Sequence, residues 1–86
     1  MLDLFAMEFI VKDAVLVSDK SNQYHKVEIK ESTGVYPYQV SVVSGSGQQI
    51  HGRQSYSFNK LEEAEERFNT FLSSYCEDGF SEKMVS

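Results

Sequence analysis

The chain has 86 residues, a net charge of −5 at neutral pH, 41% hydrophobic residues and one proline, a composition typical of one small globular domain. The lone Cys76 excludes an intrachain disulfide and is compatible with a reducing compartment. No apolar run approaches the ~20 residues that span a membrane. A signal peptide begins with basic residues, whereas this segment carries the acidic residues Asp3 and Glu8. The sequence therefore predicts a cytoplasmic protein without a membrane partner.

The charge is unevenly distributed along the chain. Residues 1–19 carry −3 and residues 59–86 carry −4, whereas residues 20–58 carry +2. The overall acidity argues against strong attraction to nucleic acid or to an anionic membrane. The middle third is therefore the part of the chain best suited to attract a polyanion.

The N-terminal segment is apolar, but its secondary structure is ambiguous. In residues 1–11 the apolar positions fit a helical face and an alternating strand equally well. Residues 14–17 form a short run of β-favouring side chains. A solvated tail would not expose so many large apolar groups. Residues 1–17 are therefore predicted to form an added strand or a surface shared with a partner, and a homodimer is expected to use this segment.

Two strand-like segments follow. Residues 24–31 alternate between an apolar and a polar face, as a half-buried strand does. Residues 32–34 supply a turn, and Pro37 suits the start of the next strand rather than its middle. In residues 38–43 the tyrosine and two of the valines share one face, which predicts a second strand.

A glycine-rich loop and a third strand complete the predicted sheet. Residues 44–49 are predicted as the loop, because glycine and serine favour turns. Residues 50–58 are predicted as the strand. Simple alternation assigns its faces as Ile50, Tyr56 and Phe58 on one side and His51, Arg53, Ser55 and Ser57 on the other.

The clearest pattern predicts an amphipathic helix over residues 59–79. Asn59 is a suitable N-cap, with Glu62 placed as a capping-box acid, and Gly79 can adopt the left-handed conformation after the last turn. The apolar positions fall within about 100° of arc, the width of a core-facing stripe. They are Leu61, Ala64, Phe68, Phe71, Leu72 and Tyr75. Burial is worth roughly 1.5–3 kcal/mol for each large side chain, so this helix must lie on an apolar surface.

Together these elements predict an α+β fold. An antiparallel meander of three or more strands carries one C-terminal amphipathic helix on one face. Residues 1–86 are expected to form a single domain.

The patterns that would carry chemistry are incomplete. The glycines at 45–47 precede a strand instead of a helix, unlike a dinucleotide-binding loop. His25, His51 and Cys76 lack the ligand spacing of a zinc site. The acidic run at 62–66 lies on a solvent-facing helix without the loop spacing of an EF-hand. The sequence therefore predicts no enzyme activity, no metal site and no cofactor.

The candidate binding surface is the outer face of the predicted sheet, away from the helix. Basic groups and tyrosines are interleaved there, and such a face can hold nucleic acid through charge and stacking. A plain solvated face is the alternative, because Glu28 lies among the basic groups. The candidate residues are Tyr24, Lys26, Lys30, Tyr38, His51 and Arg53.

The order of several short motifs resembles that of a known family. The motifs are Ser21-Asn22-Gln23-Tyr24, then Lys26-Val27-Glu28-Ile29, Tyr38-Gln39-Val40, a Gly-x-Gly loop, Phe58, and a helix of the form K-L-E-E-A-x-x-x-F that begins with Lys60. From residue 20 to about residue 80 the chain resembles the WGR domain. This small module of sheet and helix is found in some poly(ADP-ribose) polymerases and in bacterial proteins.

The resemblance implies a WGR-like scaffold and a non-catalytic binding role. In the family, the tryptophan and arginine of the Trp-Gly-Arg tripeptide lie at the contact with DNA and with neighbouring domains. Here the tripeptide is replaced by Ser44-Gly45-Ser46, so recognition of DNA ends through that motif is not carried over. The sequence predicts a module for protein–protein interaction. The alternative is a weak nucleic-acid-binding module that uses the outer face of the sheet.

Overall fold

The computed structural model describes residues 9–18 and 20–83. Within them, five antiparallel strands form one sheet in the order β4-β3-β2-β1-β5. One helix packs on one face of the sheet, which confirms the predicted α+β fold. The elements are β1 (Phe9–Ser18), β2 (Gln23–Glu31), β3 (Tyr38–Ser46), β4 (Gln49–Phe58), α1 (Leu61–Glu77) and β5 (Phe80–Lys83).

The first strand lies inside the sheet, because β5 pairs with its second half, from Val15 to Ser18. The apolar run at residues 14–17 is thus part of a longer strand that begins at Phe9, as the prediction of an added strand requires. Residues 1–8 of the predicted N-terminal segment lie outside the described residues. The short strand β5 was not predicted, because Phe80 is its one apolar residue.

The core lies between α1 and the face of the sheet that is apolar in β1, β2 and β3. The predicted stripe of the helix supplies its other half, since Phe68 is 1% exposed and Ala64 is fully buried. Phe71, in the same stripe, is half-buried and packs against this core. The buried apolar residues are Ala14, Leu16, Val27, Ile29, Val40, Val42, Ala64 and Phe68.

The two ends of α1 differ in how well the sequence predicted them. The helix begins at Leu61 with Lys60 as its N-cap, so the predicted cap at Asn59 was one residue early. Lys60 has extended backbone angles and makes no capping bond through its side chain. At the other end, Gly79 has φ +97 and donates its N–H to the Cys76 carbonyl at 3.1 Å. This confirms the predicted left-handed glycine. Cys76, in the last turn, is exposed.

The predicted glycine-rich loop at residues 44–49 is a tight hairpin. β3 continues to Ser46, β4 starts at Gln49, and only Gly47 and Gln48 turn the chain. Gly47 has φ +59, and it occupies the first central position, where a type II′ turn requires glycine. A loop was predicted because two glycines and two serines fall together, but strand pairing overrides that preference for turns.

A β-bulge next to this hairpin changes the faces of β4. Ser44 pairs with Gly52 and Gly45 pairs with Ile50, so His51 is the extra residue. Simple alternation therefore fails at this end of the strand. Ile50 shares a face with Gly45 and not with Tyr56, which corrects the sequence prediction.

Candidate functional site

The outer face of the sheet, opposite α1, carries a basic row that crosses all five strands. From β5 to β4, the residues that pair with one another along this row are Lys83, Val15, Lys26, Val43 and Arg53. Neighbouring strands lie about 4.8 Å apart, so the three bases are spaced by roughly 10 Å. Lys83 joins the row only because β5 pairs with β1, which the sequence did not reveal.

An acidic pair lies in the next row of the outer face. Asp13 pairs with Glu28, and Glu28 is 8% exposed. The Lys26 Nζ lies 3.9 Å from Glu28 Oε2, so part of the charge of Lys26 is already compensated. Lys30 is half-buried beyond this pair. The outer face therefore holds alternating charges, and its positive potential is modest.

Tyr24 lies on the outer face, but its ring packs on the sheet. A Cβ atom at Gly45 would lie 2.9 Å from the Tyr24 hydroxyl oxygen and would collide with the Gln49 carbonyl oxygen. Gly45 is buried and lies within β3, so close packing requires glycine there and the turn does not. This corrects the sequence interpretation of Gly45. An aromatic ring over a glycine is a known way of stabilising a sheet.

Tyr38 and His51 do not belong to the outer face. Tyr38 pairs with Phe58 and packs against the core on the helix side. The bulge places His51 beside Ser46, whose Oγ lies 2.6 Å from His51 Nε2. Ser46 alternates with Val42, which is buried under the helix. Of the six predicted site residues, the outer face therefore brings together Tyr24, Lys26, Lys30 and Arg53.

A second histidine lies in an aromatic cluster at the end of α1. The His25 ring stacks on Tyr75 with centroids 3.8 Å apart and planes 5° apart, and Phe80 lies 4.6 Å away. His25 Nδ1 lies 2.6 Å from Ser44 Oγ. Burial lowers the pKa of His25 and outweighs the opposing effect of the nearby Asp78 carboxylate.

Ser44 links the two stacked rings of this cluster. Burial raises the pKa of Tyr75, although a hydrogen bond with Ser44 opposes the shift. The serine thus contacts both rings, and two aromatic side chains flank the imidazole. The stacked rings attach β5 and the end of α1 to the sheet.

Metal binding and membrane insertion find no support in the described part of the chain. Among residues 9–18 and 20–83, no group of three or more His, Cys, Asp or Glu side chains is placed to hold a metal ion. The single helix within these residues is too short and too polar to cross a bilayer.

The edge strand β4 is the most exposed element of the sheet. Every residue from Gln49 to Ser57 is exposed, and only Phe58 is half-buried. Tyr56 and Ile50 are 38% and 49% exposed. Nothing lies within 4 Å of where a Cβ atom of Gly52 would be. Within the described residues, the outer edge of β4 has no strand beside it.

A shallow groove runs between the end of β4 and α1. It encloses about 470 Å³ and is lined by Phe58, Glu63, Glu66, Arg67 and Thr70. The Arg67 guanidinium lies 5.2 Å from the centroid of the Tyr56 ring. The groove thus combines one aromatic side chain with two acidic residues and one basic residue, directly beside the open edge of the sheet.

Comparison of the chain with family models, curated proteins and solved structures finds no match. Among residues 9–18 and 20–83, the open edge of β4 with its groove and the basic row of the outer face are candidate binding surfaces.

Proposed function

We propose that this chain is a small, non-catalytic module that binds other proteins in the cytoplasm by strand addition at β4. The observation that carries the proposal is the exposure of β4 along nearly its whole length at the edge of the sheet. An edge strand presents a row of unpaired N–H and C=O groups, which is a template for another strand. Strand addition provides affinity through main-chain hydrogen bonds.

The sequence of β4 supports this role. Natural proteins protect exposed edges with proline, charged side chains such as lysine, short strands, β-bulges or inward-pointing charges. β4 has ten residues, contains no proline or lysine, and has one charged residue, Arg53, and one bulge near the hairpin. Its middle, from Gly52 to Tyr56, is regular and uncovered. This part of the edge is available to a partner strand.

The groove beside β4 would provide specificity. In strand addition, alternate side chains of the added strand enter pockets next to the edge. A side chain on the helix side of the added strand would face Phe58 and the charged residues Glu63, Glu66 and Arg67. The groove therefore favours a partner strand that carries apolar and polar side chains on this side.

The family resemblance forms part of the same proposal. The motif order over residues 20–80 supports a WGR-like scaffold that keeps an interaction role. The replacement of Trp-Gly-Arg by Ser44-Gly45-Ser46 supports a role that does not depend on DNA ends.

Site-specific photo-crosslinking in living cells tests the docking edge. A photoreactive amino acid replaces Ser55 on β4 or, as the control, Asn69 on the exposed side of α1; both positions are exposed. We expect discrete adducts from position 55 and none above background from position 69. Each adduct partner is then added in purified form, and hydrogen exchange should slow at the β4 amides. Equal labelling from both positions, or no adducts from position 55, would contradict the proposal.

The basic row of the outer face supports a second candidate, weak nucleic-acid binding. Lys83 adds a third base in line with Lys26 and Arg53. A polyanion that crosses the strands could contact all three. Asp13 and Glu28 in the next row would repel a polyanion, so this candidate is placed second.

A further inference from the structure

We infer that β4 docks against β4 of a second copy of this chain, antiparallel, with Gln54 on the two-fold axis. The inference rests on the proposed function, because it names the partner of the same edge. A two-fold axis perpendicular to the sheet would pair the two edges and place both helices on the same side. Two five-stranded sheets would then form one continuous sheet across a closed, isologous interface.

Symmetry restricts the register. Residues opposite each other in an antiparallel pair project to the same face, so each residue must meet a residue of the same face in the second copy. Two such registers overlap most: one centres on Arg53 and the other on Gln54. Centring on Arg53 would place two arginines directly opposite each other, which is destabilising. Centring on Gln54 places Arg53 opposite Ser55 instead.

The bulge selects the same register. His51 is the extra residue of the bulge, and regular pairing cannot continue through it. With Gln54 on the axis, the central pairs use residues 52–56 only. With Arg53 on the axis, they would include His51. Gln54 is therefore the centre about which the regular part of the β4 edge can pair with its own copy.

Side-chain shape is also complementary in this register. Tyr56 lies opposite Gly52 of the second copy, and the contact occurs twice by symmetry. The space above Gly52 is open, and the Tyr56 ring is partly exposed on the same face. The protomer already contains this arrangement once, where the Tyr24 ring covers Gly45. An aromatic ring would thus cover the exposed glycine of each edge.

Disulfide cross-linking tests the register. In a Cys76→Ser background, Gln54→Cys places one thiol on the two-fold axis, and Ser57→Cys is the control on the same exposed strand. Opposed residues of antiparallel strands have Cα atoms about 4.5–5.5 Å apart, within the range of a disulfide. Residue 57 would lie about 20 Å from its copy, at roughly 3.4 Å per residue. We expect covalent dimers from position 54 only. Equal cross-linking at both positions overturns the register.

Changing the charge of residue 54, which lies on the two-fold axis, tests the same register without a covalent bond. Gln54→Lys and Gln54→Glu each place like charges opposite each other, whereas a mixture of the two variants pairs opposite charges. We expect each variant alone to dimerise up to about fivefold more weakly than the parent, and the mixture to recover. Sedimentation velocity measures these constants. The same pair of changes at Asn69 serves as the control and should leave dimerisation unchanged.

The outcomes separate this inference from the function on which it rests. A parent chain that stays monomeric up to its solubility limit overturns the homodimer. Discrete cellular adducts from position 55 would still support docking at the edge, with a different protein as partner. A dimerisation constant that does not change with the charge at position 54 also overturns the inference, because such a dimer must form through another surface. No adducts at all from position 55 would overturn both proposals.

Discussion

Phe68 is the single side chain on which docking of the helix depends most. It is the largest fully buried side chain, and the Lys12 Nζ lies 5.3 Å from its ring centroid. Phe68→Ala should lower the free energy of unfolding by ~3–5 kcal/mol, through lost burial and the cavity that remains. Urea denaturation measures the change. Asn69→Ala, on the exposed side of the same turn, should stay within about 0.5 kcal/mol of the parent. Similar midpoints for the two variants would contradict the packing described.

The glycines at 45 and 52 offer a matched pair at neighbouring positions. Gly45→Ala should destabilise the fold by about 1–3 kcal/mol, because the added methyl group collides with backbone and with Tyr24. Gly52→Ala meets open space in the protomer and should be tolerated. Thermal unfolding below the dimerisation range compares them. Equal losses would show that glycine is needed at both positions for backbone freedom and not for packing.

His25 should make stability depend on pH. Its pKa is lowered in the folded protein, so between that pKa and about 6.5 the unfolded chain binds more protons. Stability should therefore be complete above about pH 6.5 and decline as the pH falls toward the folded pKa. Urea denaturation between about pH 5.5 and 8 measures it, with His51→Gln in both proteins so that only His25 differs. Adding His25→Gln should flatten this part of the curve, and an unchanged slope would contradict the assignment to His25.

At the scale of single elements, sequence periodicity predicted which residues are buried in the central strands and in the helix that packs on them. The alternation of β2 and the spacing of the α1 stripe both arise from burial on one side, so Val27 and Phe68 could be placed from sequence. β4 is exposed on both sides, so its side chains carry no such pattern and its bulge stayed hidden. β5 is too short for any period, and Lys83 was missed with it.

The stability of α1 can be raised by a better N-cap residue. Lys60 is the N-cap and makes no capping bond through its side chain. Lys60→Ser would add an acceptor for the free N–H groups and create the S-x-x-E pattern with Glu63, a capping box. We expect a gain of about 0.5–2 kcal/mol in unfolding free energy. Chemical denaturation measures it, with Asn59→Ser as the control, one residue too early to cap. An equal gain from both changes would point to a cause other than capping.

At the scale of the whole molecule, charge limits any binding of nucleic acid. With three bases in the row, log affinity for duplex DNA should fall by no more than about 3 per tenfold rise in salt. At physiological salt we expect at best the non-specific range of ~10⁻⁴–10⁻⁶ M. Arg53→Glu should weaken binding to all sequences alike, because a phosphate contact carries no sequence information. Fluorescence anisotropy against salt concentration measures both effects.

The control for this measurement must lie away from both binding surfaces. Arg67 is unsuitable, because its guanidinium lies against Tyr56 of β4. Lys60→Glu changes charge equally at the start of the helix and should affect binding much less. Nanomolar binding to one sequence or to DNA ends would contradict the charge argument. It would require a readout that the basic row does not contain.

The pairing of β5 with β1 also shapes the route by which the chain folds. β2, β3 and β4 are joined by short connections and can pair as soon as they are synthesised. The edge of β1 at residues 15–18 stays open until residues 80–83 are made, and closing so long a loop costs more entropy and slows folding. Phe9, Ile10 and Val11 lie in the same strand and remain exposed even in the native state. The nascent chain is therefore most prone to aggregate just before its last short strand is made.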